Sequence, residues 1–234
     1  MSEAGAIVLE AREVSKVYVS GTVRTRALDG VSLRVSSGER VALSGPSGSG
    51  KTTLLNLLGT LDRASSGRIL LAGQDVGRLG EAELADLRLA RLGFVFQAYN
   101  LVPVLTALEN VELVLLLQGV RPAERRRRAE LALDDLGLGE LLHTRPGEMS
   151  GGQQQRVAVA RAIVSEPEIV LADEPTANLD SKTAASLLDL MQQLNEERGV
   201  TFLFSTHDPR VMERALRVIR LLDGRIESDE RRAP

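Results

Sequence analysis

A chain of 234 residues, 43 % hydrophobic and 26 % charged, has the length for one sizeable α/β domain and the composition of an ordinary soluble protein, which excludes global disorder and a membrane-embedded chain. It contains no Cys, so disulfides, zinc–thiolate centres and thiol catalysis are excluded. The formal net charge of −3 argues against a surface that is basic throughout, and Lys stands at only three positions, Lys16, Lys51 and Lys182.

Met1–Glu10 has neither a basic segment nor a long apolar run, so no secretory signal is expected. The longest purely apolar stretch, Leu113–Leu117, is far short of the ~20 residues of a spanning helix, and any membrane role would run through a partner. Along the chain, Ile7–Val14, Val17–Val19 and Val31–Val35 read as strands of an N-terminal antiparallel β subdomain, punctuated by Gly21, Gly30 and Gly38. Arg40–Ser44 is a short apolar strand that runs through a Gly/Ser loop into a helix, Thr52–Gly59. Arg68–Ala72 predicts a strand, Glu81–Arg91 a helix and Gly93–Gln97 a buried strand.

From Thr106 to Ser165 the periodicity is helical, with Pro122 opening one helix, so residues at about 98–165 are expected to form a helical insertion in a single domain. Glu168–Asp173 then reads as a buried strand. Ser181–Arg198 reads as a helix capped by Ser181 and closed by Gly199, and Val200–Ser205 as a further strand. Asp223-Gly224 between apolar runs predicts a hairpin, after which Glu227–Pro234 are expected to fray. Short, continuously apolar strands separated by helices imply an α/β fold with a mainly parallel sheet covered on both faces.

Gly45-Pro46-Ser47-Gly48-Ser49-Gly50-Lys51-Thr52 fits G-x-x-x-x-G-K-[ST] between a predicted strand and a predicted helix, the context this motif requires. The glycines let the backbone curl so that successive N–H groups face one anion, and the helix that follows adds its positive end. Lys51 supplies a point charge for the outer phosphates of a nucleotide, and the Thr52 hydroxyl a ligand for Mg2+. Ile169–Asp173 delivers Asp173 and Glu174 at the C-terminal end of a strand, where open α/β sheets place ligands. Beside a phosphate loop these are a Mg2+ ligand, Asp173, and a general base for the attacking water, Glu174.

Met149-Ser150-Gly151-Gly152-Gln153-Gln154-Gln155-Arg156 opens a further helix with small residues and free N–H groups, a second place for an anion. With the phosphate loop and the paired carboxylates in this order, the chain resembles the ATP-binding subunit of an ABC transporter over nearly its whole length. Met149 stands where that family's LSGGQ signature has Leu. The resemblance implies a P-loop NTPase core that binds ATP and Mg2+ and hydrolyses ATP. It implies that Tyr18 stacks on adenine, that Gln97 touches Mg2+ and faces a membrane partner, that Asp180 belongs to the D-loop, and that His207 contacts the γ-phosphate. It also implies a head-to-tail dimer in which Ser150, Gly151, Gly152 and Gln153 of one copy close over ATP held by Gly45–Thr52 of the other.

Arg26–Arg34, Leu54–Gly59 and Phe94–Pro103, followed by Leu105–Val111, are similar to the group containing LolD, MacB and FtsE. That similarity implies an integral membrane permease subunit with a large extracytoplasmic domain as partner. The chain would then lie on the cytoplasmic face of the plasma (inner) membrane, serving export, lipoprotein release or mechanotransmission. The alternative is a soluble ABC ATPase acting on nucleic acid or ribosomes, though such relatives carry two cassettes or a long coiled-coil insertion. Arg125–Arg128 has acidic neighbours at helical spacings and no interleaved aromatics, so a solvated helix face is expected there and no nucleic-acid site. His143 has no metal-type neighbour in sequence and is expected at the surface.

Overall fold

The computed structural model describes residues 5–232; the first four and last two residues, including the ends of the expected signal-free and frayed segments, lie outside it. In chain order the elements are β1 (Ile7–Ser20), β2 (Val23–Ser36), β3 (Arg40–Ser44), α1 (Lys51–Leu58), β4 (Ser66–Leu71), β5 (Gln74–Asp75), α2 (Glu81–Arg91), β6 (Leu92–Val95), α3 (Ala107–Leu117), α4 (Pro122–Asp134), α5 (Gly151–Ile163), β7 (Ile169–Asp173), α6 (Ser181–Arg198), β8 (Phe202–Ser205), α7 (Pro209–Arg214), β9 (Arg217–Leu222) and β10 (Arg225–Arg231).

Two sheets result. The larger has the order β10-β9-β3-β8-β7-β6, parallel except for the terminal β9–β10 hairpin; the smaller, β2-β1-β4-β5, is antiparallel. Period-2 alternation in the parallel strands sends side chains to opposite faces. Val170, Ala172, Phe202 and Phe204 join the core shared with α3, α4, α5 and α6. Ile169, Leu171, Leu203, Val41 and Leu43 join Leu54, Leu57 and Leu58 of α1 and the apolar face of β1 and β2. The helices and the small sheet thus sandwich the parallel sheet, and its C-terminal edge is left free for chemistry.

Four expectations are corrected. Ile7–Val14 and Val17–Val19 are one strand: Glu13 takes φ 50 and its N–H donates to Ser32 Oγ, so a bulge bends β1 instead of ending it. The cap of α6 is Asp180, whose carboxylate accepts from the N–H groups of Lys182 and Thr183; Ser181 is the first helical residue. The terminal segment does not fray from Glu227, because β10 pairs with β9 as far as Arg231. The basic run is only half solvated. Arg126 and Arg127 pair with Glu130 and Glu124 on the open face, but Arg125 faces Glu112 in a half-buried pair and Arg128 donates to the Val164 carbonyl. His143 is exposed, as expected. Among the described residues no helix is long and apolar enough to cross a membrane.

Candidate functional site

The buried strand β3 ends at Ser44, and the chain turns at once through Gly45–Gly50 into α1. Gly45 (φ 151) and Gly50 (φ 103) adopt backbone angles open to glycine, and neither has room for more. A Cβ at Gly50 would lie 2.6 Å from the Ala27 carbonyl oxygen, and one at Gly45 would collide with that of Leu221. The hairpin after β9 braces the loop from outside: Gly224 N–H donates to the Ser49 carbonyl, and Asp29 N–H to the Gly224 carbonyl. Lys51 is buried at the start of α1 and donates from Nζ to the carbonyls of Gly45 (2.7 Å) and Pro46 (3.0 Å), so its ammonium spans the loop from within. An entering phosphate would meet a positive charge already in place.

Around this loop lies a cavity of about 710 Å³, lined by Pro46, Ser47, Gly48, Gly50, Lys51 and Thr52 together with Gln97, Glu174 and His207. Three segments distant in sequence therefore converge on it. β6 leads to Gln97, β7 to Glu174 and β8 to His207, as adjacent parallel strands of one sheet must do at their C-terminal ends. Glu174 has φ 44, a strained angle for a side-chain-bearing residue, and is held there by its N–H donating to the Ser205 carbonyl. Its carboxylate is half-buried. Oε1 lies 2.6 Å from His207 Nδ1, and Oε2 accepts from Thr206 Oγ1 at 3.2 Å.

Asp173 sits one residue back, beside Thr52 and Lys51; burial pushes its carboxyl above the usual range, with the Glu174 charge acting in the same sense. Its Oδ1 is buried with no protein partner. Asp173 does not itself line the cavity, but its unpartnered oxygen lies beside Thr52, which does, as does Gln97; carboxylate, hydroxyl and amide oxygens are hard donors of the kind Mg2+ takes. The residues therefore fit that ion.

Other expected site residues lie elsewhere. Tyr18 does not line the cavity, although its cross-strand partner Thr25 does; its hydroxyl donates to Asp62 and Lys16 Nζ stands 4.8 Å from its ring centre. Asp180 is engaged as the cap of α6, with Thr183 Oγ1 donating to its second oxygen. Ser150–Gln153 also lie outside the cavity, where Ser150 Oγ accepts from Gln153 N–H and the Gln153 side chain accepts from Ser150 N–H, a reciprocal cap at the start of α5.

Sequence reasoning did not assign Thr25, Arg26 and Ala27 of β2, which line the cavity, nor Thr206, which donates to Glu174. For the first three no local signal exists. Thr206, next to a singled-out histidine at a strand end, could have been found as a hydroxyl within reach of the same carboxylate.

Residues 28–177 match the family model described as ABC transporter. The chain is 46 % identical to the lipoprotein-releasing system ATP-binding protein LolD of Geobacter metallireducens over 95 % of this chain and 99 % of that protein. It is 50 % identical to the macrolide export ATP-binding/permease protein MacB of Hyphomonas neptunium over 95 % of its own length, but spans only 34 % of that longer protein. The dimeric post-hydrolysis structure of the ATP-binding cassette MJ0796 bound to ADP and Pi superposes with a TM-score of 0.88 at 42 % identity, covering 97 % of this chain and all of that one. With this phosphate loop, these carboxylates and these relatives, the chain belongs to the ABC transporter family, as one of its ATP-binding, ATP-hydrolysing subunits.

Proposed function

We propose that the chain binds Mg2+ and ATP at Gly45–Thr52 and hydrolyses the γ-phosphate bond with Glu174 as general base, to energise an integral membrane permease subunit. The observation that carries this reading is the convergence of Lys51, Thr52, Gln97, Glu174 and His207 on one cavity. The loop's backbone N–H groups and Lys51 bind the phosphates; Thr52, Gln97 and Asp173 hold the metal. When bound, Mg2+ neutralises charge developing on the phosphate oxygens.

Glu174, fixed at both oxygens by Thr206 and His207, accepts a proton from the attacking water. An ionised Glu174 only accepts, so the 2.6 Å contact places a proton on His207 Nδ1. Contact from Nε2 to the γ-phosphate then calls for the imidazolium, or for His207 to leave Glu174 as ATP enters. Tyr18, an exposed aromatic, is the residue that stacks on adenine in this reading.

The second anion-binding helix start, Ser150–Gln153, has no role in the cavity of its own chain, which supports a head-to-tail dimer in which it closes the partner copy's site and Asp180 lies at the junction. The chain is one ABC ATPase domain in this reading, with the helices at about 98–165 as its partner-facing part. A relative named as a joined ATP-binding/permease protein supports a permease partner, and in this reading that partner carries a large extracytoplasmic domain. The chain then sits at the cytoplasmic face of the inner membrane, serving lipoprotein release, export or mechanotransmission.

The test is Mg2+-dependent ATP turnover by the purified chain. Lys51→Ala removes the loop's only ammonium and is expected to abolish turnover; an undiminished rate in that variant overturns the reading.

A further inference from the structure

Gln155 has no part in the site as built above, yet it is fully buried in the middle of a polar run. It lies on α5 one turn after Gly151 and faces the sheet. Its Nε2 donates to the Pro175 carbonyl at 2.8 Å and reaches the Phe96 carbonyl at 3.4 Å, while its Oε1 is buried without a partner. Both contacts are acceptors, so the amide cannot be turned over without setting oxygen against oxygen.

A buried amide with its acceptor left unpaired is a poor filler of space; an apolar side chain of the same shape would remove the orphaned oxygen but leave the Pro175 carbonyl without its donor, so what the amide contributes lies in its N–H groups. What the amide does supply is two donors to two particular peptides. Pro175 follows Glu174 directly, and the Phe96 carbonyl belongs to the same rigid peptide unit as the Gln97 N–H. Glu174 stands at a strained φ of 44, an angle that persists only where its neighbours hold it.

We infer that Gln155 is a positioning residue for ATP hydrolysis, its single amide fixing the backbone beside Glu174 and the peptide of Gln97 in one mutual geometry. The hydrogen bonds from Thr206 and His207 set the Glu174 carboxylate; Gln155 sets the chain that carries it. This rests on the assignment of Glu174 as base and Gln97 as a metal-facing group.

Gln155→Met keeps length and helix preference and removes both donors. In the purified full chain, steady-state ATP hydrolysis is measured per site able to bind a non-hydrolysable ATP analogue, so that any misfolded fraction drops out. The expected result is a kcat lower by about tenfold or more, with KM for ATP and analogue affinity within about twofold of wild type. Gln155→Glu, which replaces the donors by acceptors, is expected to be impaired in the same parameter.

A Gln155→Met kcat within about twofold of wild type overturns the inference, as does a loss confined to KM or shared by analogue binding. Glu174→Gln run alongside separates the two readings. If it is inactive while Gln155→Met turns over normally, only the role of Gln155 fails; if Glu174→Gln itself turns over normally, the assignment of the base fails.

Discussion

At the level of single residues the site is a set of paired constraints on one carboxylate. Glu174 lies one residue after the buried Asp173, and the two differ in their partners: Asp173 Oδ1 has none, whereas both oxygens of Glu174 are engaged. That contrast separates a group suited to a metal from one suited to hold water. The Thr206 bond goes to a carboxylate but is long at 3.2 Å, worth about 1–2 kcal/mol, so Thr206→Val is expected to lower kcat by roughly five- to thirtyfold while leaving ATP affinity unchanged. Steady-state kinetics check it, and a change in KM alone would assign Thr206 to binding. That Lys51, Thr52 and Glu174 meet at one cavity was expected from local motifs, and His207 from the family resemblance. Thr206 and Gln155 were not, since what they contact is set by which strands lie side by side.

The same division holds for the elements. Continuous apolar runs predicted β3, β7 and β8, and α2 falls where its charge and apolar periodicity put it. The misses arose where a long-range pairing overrode a local signal. β1 continues through Glu13 because Ser32 on the neighbouring strand satisfies its N–H, and β10 is ordered because Arg217 on β9 pairs with its Asp229.

At the start of α6 two adjacent residues are both good caps, and backbone geometry chose Asp180. Asp180→Ala should therefore lower the melting temperature by about 2–4 °C while Ser181→Ala leaves it nearly unchanged, by thermal unfolding of both variants. On β1, hydrogen bonds from Arg12 and Arg34 lower the Glu10 pKa from 4.5 to about 2. A carboxylate depressed in the folded state stabilises the fold fully above its unfolded pKa, and that contribution is lost as pH falls from about 4.5 towards 2. Glu10→Gln is expected to flatten the acid limb of the melting temperature against pH in that window and to leave its slope near neutrality unchanged. A variant as acid-sensitive as wild type would show that the pair is not formed.

For the whole molecule the decisive feature is a separation. One chain carries two helix starts suited to phosphate, at Gly50 and at Ser150, and the fold puts only the first beside Glu174 and His207. A hydrolytic site completed by a second copy explains why the other start is built. Within the chain, Gly152 is pressed against Thr183 of α6, whose methyl a side chain there would meet. The architecture was legible from the order of strands and helices; the distance between the two anion sites was not, because it depends on how α5 packs across β6.

The most direct measurement is light scattering of purified Glu174→Gln with and without ATP. Removing the base should leave nucleotide binding intact and halt the reaction before release, so a monomer without nucleotide is expected to become a dimer with ATP, and the wild-type chain to return to monomer as ATP is consumed. A Glu174→Gln chain that binds ATP and stays monomeric at every protein concentration would contradict the shared site.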